Sequence, residues 1–182
     1  RRRLQQGFAY KLPDKKSIAL IGLLGMSAAV SVNAIVSISG LAYFSPKYQQ
    51  VSQIIYSGGI FMEIVSAVIA APILEELLFR GMIYRRLRDF CNAKLAIIIS
   101  AVFFGVFHGN LVQFVYAFII GLMLAYVYEK MKTIWAPIVF HVGANLLSVL
   151  ITELIPQSFL NVPVIISAMA VCLALTVFLL NY

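Results

Sequence analysis

The side chains of this chain that are best suited to chemistry are charged and polar groups embedded in apolar stretches. They fall into three short clusters, and both histidines of the chain belong to them. Their members are Glu75, Glu76, Arg80, His108, His141 and Asn145. Because a charged group near the centre of a bilayer costs several kcal/mol, such residues are functional candidates. Carboxylates and imidazoles in this setting predict a buried site for acid–base chemistry.

The first cluster contains an expected ion pair and one glutamate without a partner in that pair. Glu76 and Arg80 are four positions apart, so they share one face of a helix and are expected to form a buried ion pair. Glu75 is rotated from Glu76 by about 100° around the helix axis. Glu75 is therefore not the natural partner of Arg80 and stays available as a general base.

The other two clusters have the same four-residue spacing. Phe104 and His108 share a face, with the ring expected beside the imidazole, and His141 shares a face with Asn145. A single histidine inside a membrane helix is more often a hydrogen-bonding group between helices than a catalyst. Two histidines together with an unpaired glutamate at matching depth favour a functional site.

The composition indicates a polytopic membrane protein. Hydrophobic residues make up 62% of the chain and charged residues 12%, whereas a soluble domain is about half apolar and about a quarter charged. The net charge of +7 lies in clusters between apolar runs, which is typical of topology signals and not of a nucleic-acid interface. The two cysteines predict no disulfide framework.

The apolar runs predict an all-α transmembrane bundle of about six helices. The segments are 17–44, 59–84, 94–108, 111–128, 133–151 and 163–180. The third is short and joins the fourth through Gly109-Asn110, so these two are expected to form a tight hairpin within the protein. We expect three regions: a basic N-terminal segment with the first helix and loop (1–58), a catalytic core (59–151), and a C-terminal loop and helix (152–182).

The basic residues predict the orientation in the cell membrane. Twelve Lys and Arg residues lie in the N-terminal segment, the 85–94 loop and the 129–132 loop, against Lys47 alone on the other side. The positive-inside rule then places these three segments in the cytoplasm. The chain begins with Arg1–Arg3 and no initiator Met, so we expect a truncated or processed product.

Distances along the helices bring the polar clusters to one level of the membrane. From the basic loops, a rise of 1.5 Å per residue places Glu75 about 15 Å deep and His108 about 21 Å deep. It places His141 about 14 Å and Asn145 about 20 Å deep. We therefore expect the four side chains to line one cavity, open toward the cytoplasmic side.

Other acidic residues are expected to be solvated. Glu63 lies near the opposite interface by the same measure, and Asp14 and Glu153 lie at the ends of apolar segments. None of them is predicted to take part in the site.

The three clusters resemble the motifs of a known family. Glu75 to Arg80 fits EExxxR, Phe104 to His108 fits FxxxH, and His141 to Asn145 fits HxxxN. In this order on successive membrane helices they are similar to the CPBP family of intramembrane proteases. That family contains CAAX prenyl endopeptidases and bacteriocin-processing, Abi-type homologues. The resemblance covers about residues 60–150.

The resemblance implies a multi-pass endopeptidase and a role for each motif. Glu75 and His108 would activate a water, and His141 and Asn145 would stabilise the oxyanion of the tetrahedral intermediate. Supporting residues would be Glu76, Arg80 and Phe104.

The family is usually described as a metalloprotease, which would make Glu75, His108 and His141 zinc ligands. No HExxH motif is present. A ligating histidine usually needs an acceptor for its second nitrogen. The neighbours of His108 offer none, and the nearest to His141 is Asn145. The sequence therefore favours a metal-free glutamate mechanism, with Zn²⁺ as the alternative.

Two other functions remain open. A non-catalytic scaffold or regulator would act through a partner membrane protein, as relatives without the motifs do. A proton-coupled transporter would use Glu and His as a relay but typically shows repeats. The expected partners are a peptide or membrane-protein substrate and the lipid bilayer, and no nucleic acid is expected to bind. The expected host is a bacterium.

Overall fold

The fold is an all-α bundle, as the sequence predicts. The computed structural model describes residues 10–55 and 57–181, and the regular elements in these ranges are helices. Arg1–Arg3 of the predicted basic segment lie outside the described residues. The helices are α1 (Lys15–Ser39), α2 (Pro46–Ile55), α3 (Gly59–Arg88), α4 (Ala93–Phe107), α5 (Leu111–Met131), α6 (Trp135–Leu154) and α7 (Val162–Asn181).

Four of these helices, α1, α5, α6 and α7, are long and apolar enough to cross a membrane. Counting α2 and α3 as one broken span gives a fifth. The remaining helix, α4, has 15 residues, fewer than the roughly 20 that a crossing needs. The protein is thus a membrane protein in which α4 depends on its neighbours.

The predicted hairpin is formed by α4 and α5. Asn110 begins α5 by accepting a hydrogen bond from the Gln113 N–H at 2.9 Å, and Gly109 has a φ of 71°. This left-handed conformation suits glycine because it has no Cβ. The turn is therefore short, and it leaves His108 directly at the end of α4.

Helices α1 and α6 cross very closely beside His141, a member of the third polar cluster. A Cβ on Gly25 would overlap the carbonyl oxygen of Phe140, the neighbour of His141. A Cβ on Gly143 would lie 2.7 Å from the carbonyl oxygen of Gly22. Small residues let membrane helices approach this closely, so these glycines fix the position of the helix that carries His141.

Gly25→Ala should therefore destabilise the protein by about 1–3 kcal/mol, since overpacking forces the backbones apart. The thermal unfolding midpoint of the purified protein in detergent measures this effect. Gly22→Ala is the matched control, because its Cβ would meet only Val139 Cγ1 at an ordinary 3.8 Å. Equal midpoints for the two variants would contradict the close crossing.

The basic segments meet at one end of the bundle, which we call the basic end. Glu129 on α5 binds Arg88 of the 85–94 region at 3.2 Å and Lys132 at 2.6 Å. The hydroxyl of Thr133 donates to the carbonyl of Lys11 at 2.6 Å. The N-terminal segment and both basic loops therefore lie together, although they are far apart in the sequence.

The expectation that Glu63 is solvated was wrong. Its side chain is 1% exposed, and neither carboxylate oxygen has a hydrogen-bond partner among the described residues. The start of α3 packs against α6. This contact covers the Glu63 side chain, which the sequence had placed at the solvated membrane interface. Asp14 and Glu153 are exposed as expected.

Candidate active site

The first polar cluster lies where α3 changes between α-helical and π-helical geometry. The chain is α-helical over Ala71–Glu76, with π-helical stretches at Ile64–Ala70 and Leu77–Tyr84 on either side. π-helical turns are rare and often occur at functional sites, because they rotate side chains and free backbone groups. Here Glu75 and Glu76 end the intervening α-helical turn, and Arg80 lies in the second π-helical stretch.

The predicted ion pair between Glu76 and Arg80 is confirmed. Arg80 Nη1 lies 2.8 Å from Glu76 Oε1, and both side chains are fully buried. Arg80 Nη2 also donates to the carbonyl of Gly121 on α5 at 3.0 Å, and its guanidinium lies 4.6 Å from the centre of the Phe104 ring. The pair thus joins α3 to α4 and α5.

Glu76 has a second partner that the sequence did not indicate. His141 Nδ1 donates to Glu76 Oε1 at 2.9 Å, since a carboxylate paired with Arg80 acts as acceptor. The sequence suggested Asn145 as the nearest acceptor for His141, but the acceptor is Glu76 on the neighbouring helix α3. With the proton on Nδ1, the Nε2 atom of His141 carries a lone pair and lies 3.9 Å from Glu75 Oε2.

His108 also has an acceptor, contrary to expectation. Because α4 ends at Phe107, the His108 N–H turns back to the carbonyl of Gly105 at 3.2 Å. The carbonyl of Phe104 is then free to accept the Nδ1–H of His108, at 2.8 Å. A carbonyl can only accept, so Nε2 of His108 holds the lone pair. In a continuous helix this carbonyl would have bonded to the backbone, which is why the sequence suggested no acceptor for His108.

Phe104 packs against both histidines. Its ring lies edge-on to His108 at 5.0 Å and to His141 at 5.8 Å between centroids. The side chain is 1% exposed. The predicted contact with His108 is confirmed, and the same ring restricts both imidazoles and the guanidinium of Arg80.

Asn145 makes a contact that the motif does not predict. Its Nδ2 donates to the carbonyl oxygen of Ala67 on α3 at 2.8 Å. An amide nitrogen carries two hydrogens, so a second donor remains after this bond.

One cavity of about 280 Å³ brings the predicted residues together. Glu75, His108, His141 and Asn145 all line it, so the expected convergence of three helices is confirmed. Its volume lies just below the range of about 300–1,000 Å³ that is typical of ligand pockets, so it has room for only a short stretch of peptide.

The direction of the cavity was predicted wrongly. It extends from Glu75 away from the basic end, toward the end of the bundle that carries α2. Tyr48 and Ser52 of α2 line it, as do Gln113 near the start of α5 and Val149 near the end of α6. Arg80 fills the space on the other side of the polar cluster, where it is buried.

The donor atoms suit a metal in type but are not gathered around a common point. Two Nε2 lone pairs and a carboxylate are a zinc-like set, and Nδ1 of each histidine is held as ligating histidines require. Even so, no group of three or more His, Cys, Asp or Glu within the described ranges is arranged to hold a metal ion. The metal-free mechanism therefore remains a prediction. The lack of acceptors for the two histidines no longer supports it, because both Nδ1–H groups have an acceptor.

Comparisons with known proteins point to one family. The profile of the family described as Type II CAAX prenyl endopeptidase Rce1-like matches residues 57–147. A stretch of 84 residues is 38% identical to YdiL of Bacillus subtilis (strain 168), whose name provisionally describes it as a membrane peptidase. This stretch covers 46% of the chain and 34% of YdiL, so the chain spans about a third of that relative. No solved structure matches the chain.

Proposed function

The chain belongs to the Type II CAAX prenyl endopeptidase Rce1-like family, and on this premise we propose that it hydrolyses a peptide bond within the membrane. The observation that carries the proposal is the single cavity lined by Glu75, His108 and His141. The structure holds each histidine by Nδ1, which leaves both Nε2 atoms available for proton transfer.

In the proposed reaction, a water in the cavity attacks the carbonyl carbon of the scissile bond. Glu75 accepts a proton from this water, helped by the lone pair of His108 Nε2. The electrons of the C=O bond move to its oxygen, and the second N–H of Asn145 donates to the resulting oxyanion. The intermediate then collapses with cleavage of the C–N bond, and the leaving amine takes the proton from Glu75.

His141 takes part in a different way. Its Nδ1–H is bound to Glu76, so it can donate to the oxyanion only when Nε2 also carries a proton. Glu75 Oε2, at 3.9 Å, is close enough to pass the proton taken from the attacking water to Nε2 through a bridging water, and to take it back before the amine leaves. We propose that Glu76 and Arg80 keep the imidazole oriented for this exchange.

The proposed substrate is a peptide segment of a membrane-associated protein, and the basic end is proposed to face the cytoplasm. The cavity would then open toward the opposite membrane face. The alternative function, a scaffold that acts through a partner membrane protein, would not require Glu75 and both histidines to share a cavity.

Hydrolysis can be tested directly with the protein in lipid vesicles and a library of membrane-soluble peptides in ¹⁸O-labelled water. Cleavage by water places one ¹⁸O atom in each newly formed carboxylate, which mass spectrometry detects. Binding of a peptide or protein without any labelled product would favour the scaffold function instead.

We further propose that the reaction needs no resident metal. A zinc ion, if bound, would be held by Nε2 of the two histidines and by Glu75, and it would polarise the attacking water. We expect purified protein to contain far less than one zinc per chain and to keep its activity in excess chelator. One zinc per chain, with activity lost to the chelator and restored by zinc, would overturn this prediction.

A further inference from the structure

The carbonyl of Ala67 lacks both the α-helical and the π-helical donor that its place in α3 would normally provide. In the π-helical stretch before Glu75, the Ala71 N–H donates to the carbonyl of Ser66, five residues back, and therefore not to Ala67. The next residue that could reach Ala67 by this pattern is Pro72, which has no N–H. An unpaired backbone carbonyl within a protein is unfavourable, so this position requires a donor from outside α3.

Asn145 supplies that donor. Its Nδ2 lies 2.8 Å from the Ala67 oxygen and connects α6 to α3. Ala67, Ala71 and Glu75 follow one another at four-residue intervals and all line the cavity. His141 lies one turn before Asn145 on α6 and faces Glu75. The Asn145–Ala67 bond therefore joins the two helices along the face of α3 that carries Glu75, one turn of α6 away from His141.

We propose that Asn145 is a positioning residue, which caps the carbonyl that Pro72 leaves free and thereby fixes Glu75 relative to His141. This proposal deepens the peptidase function and rests on it. It assigns one amide hydrogen of Asn145 to α3 and leaves only the other for the oxyanion. It also gives Pro72 a role, because the proline creates the need for the cap.

The test uses a second substitution that supplies the missing donor. With alanine at position 72, a backbone N–H can donate to Ala67 and continue the π-helical pattern. Asn145→Ala alone should lower kcat by more than about 10³-fold with KM nearly unchanged, because it misplaces Glu75 (about 100-fold) and also removes the oxyanion donor (about 10²–10³-fold). Pro72→Ala alone should stay near the original activity, because Pro72 touches no reacting atom.

The double variant Asn145→Ala/Pro72→Ala should have a kcat at least about tenfold higher than that of Asn145→Ala. It restores the position of Glu75 but not the oxyanion donor, so recovery should be incomplete. No recovery would overturn the proposal and leave Asn145 with the oxyanion role alone. His141→Ala/Pro72→Ala is the matched control, in which Pro72→Ala should give no recovery.

A second measurement does not depend on activity. Hydrogen–deuterium exchange of the 64–76 backbone in lipid nanodiscs should accelerate in Asn145→Ala and return toward the original rate in the double variant. If the original protein cleaves no peptide, the proposed function fails while this exchange pattern still tests the cap. Unchanged exchange in Asn145→Ala would overturn the cap itself.

Discussion

Glu75→Gln is expected to lower the rate of peptide cleavage by about 10²–10⁴-fold, the contribution typical of a general base. Glutamine keeps the shape of the side chain but cannot accept the proton of the attacking water. Oε2 of Glu75 lies 3.9 Å from Nε2 of His141, which is too far for a direct hydrogen bond. The substitution therefore breaks no bond between these two side chains and should leave the fold intact. The ¹⁸O-labelled product, measured against time in vesicles, gives the rate.

Two controls separate this effect from a general loss of charge. Glu153→Gln removes an exposed carboxylate on the same α6 helix that carries His141, and its cleavage rate should not change. Binding of peptide by Glu75→Gln should also persist, since the cavity keeps its lining. If Glu75→Gln cleaved at the original rate, Glu75 could not be the base and the proposed mechanism would fail.

The parts of the site that follow from helical periodicity were predictable. The four-residue spacing predicted the Glu76–Arg80 pair and the contact between Phe104 and His108, and both are present. Depth from the basic loops predicted that Glu75, His108 and His141 share one cavity. These predictions need only the rise and the rotation of a regular helix.

The parts that depend on interruptions of the helices were not predictable. The acceptor for His108 exists because α4 stops at Phe107, and the acceptor for His141 is Glu76, which already binds Arg80. A proline such as Pro72 could have signalled a free carbonyl, but identifying Asn145 as its donor requires the tertiary packing of α3 on α6. The burial of Glu63 and the direction of the cavity likewise depend on packing between helices.

Arg80→Ala is expected to destabilise the protein by about 3–5 kcal/mol, the cost of leaving one partner of a buried ion pair without the other. Arg80 is fully buried, and its loss removes the contact with Glu76, the hydrogen bond to Gly121 and the packing over Phe104. His141 would still contact Glu76 but could not replace the three contacts. The yield of folded protein and its thermal midpoint in detergent measure the loss.

Arg86→Ala is the matched control, because Arg86 is 66% exposed and lies 3.9 Å from Asp89, and exposed pairs contribute only about 0–1 kcal/mol. Arg80→Met combined with Glu76→Gln should be more stable than Arg80→Ala, because it removes the stranded charge and fills the space. A normal midpoint for Arg80→Ala with selective loss of cleavage would show instead that Arg80 acts on the substrate. The pair would then belong to the reaction and not to the support of His141.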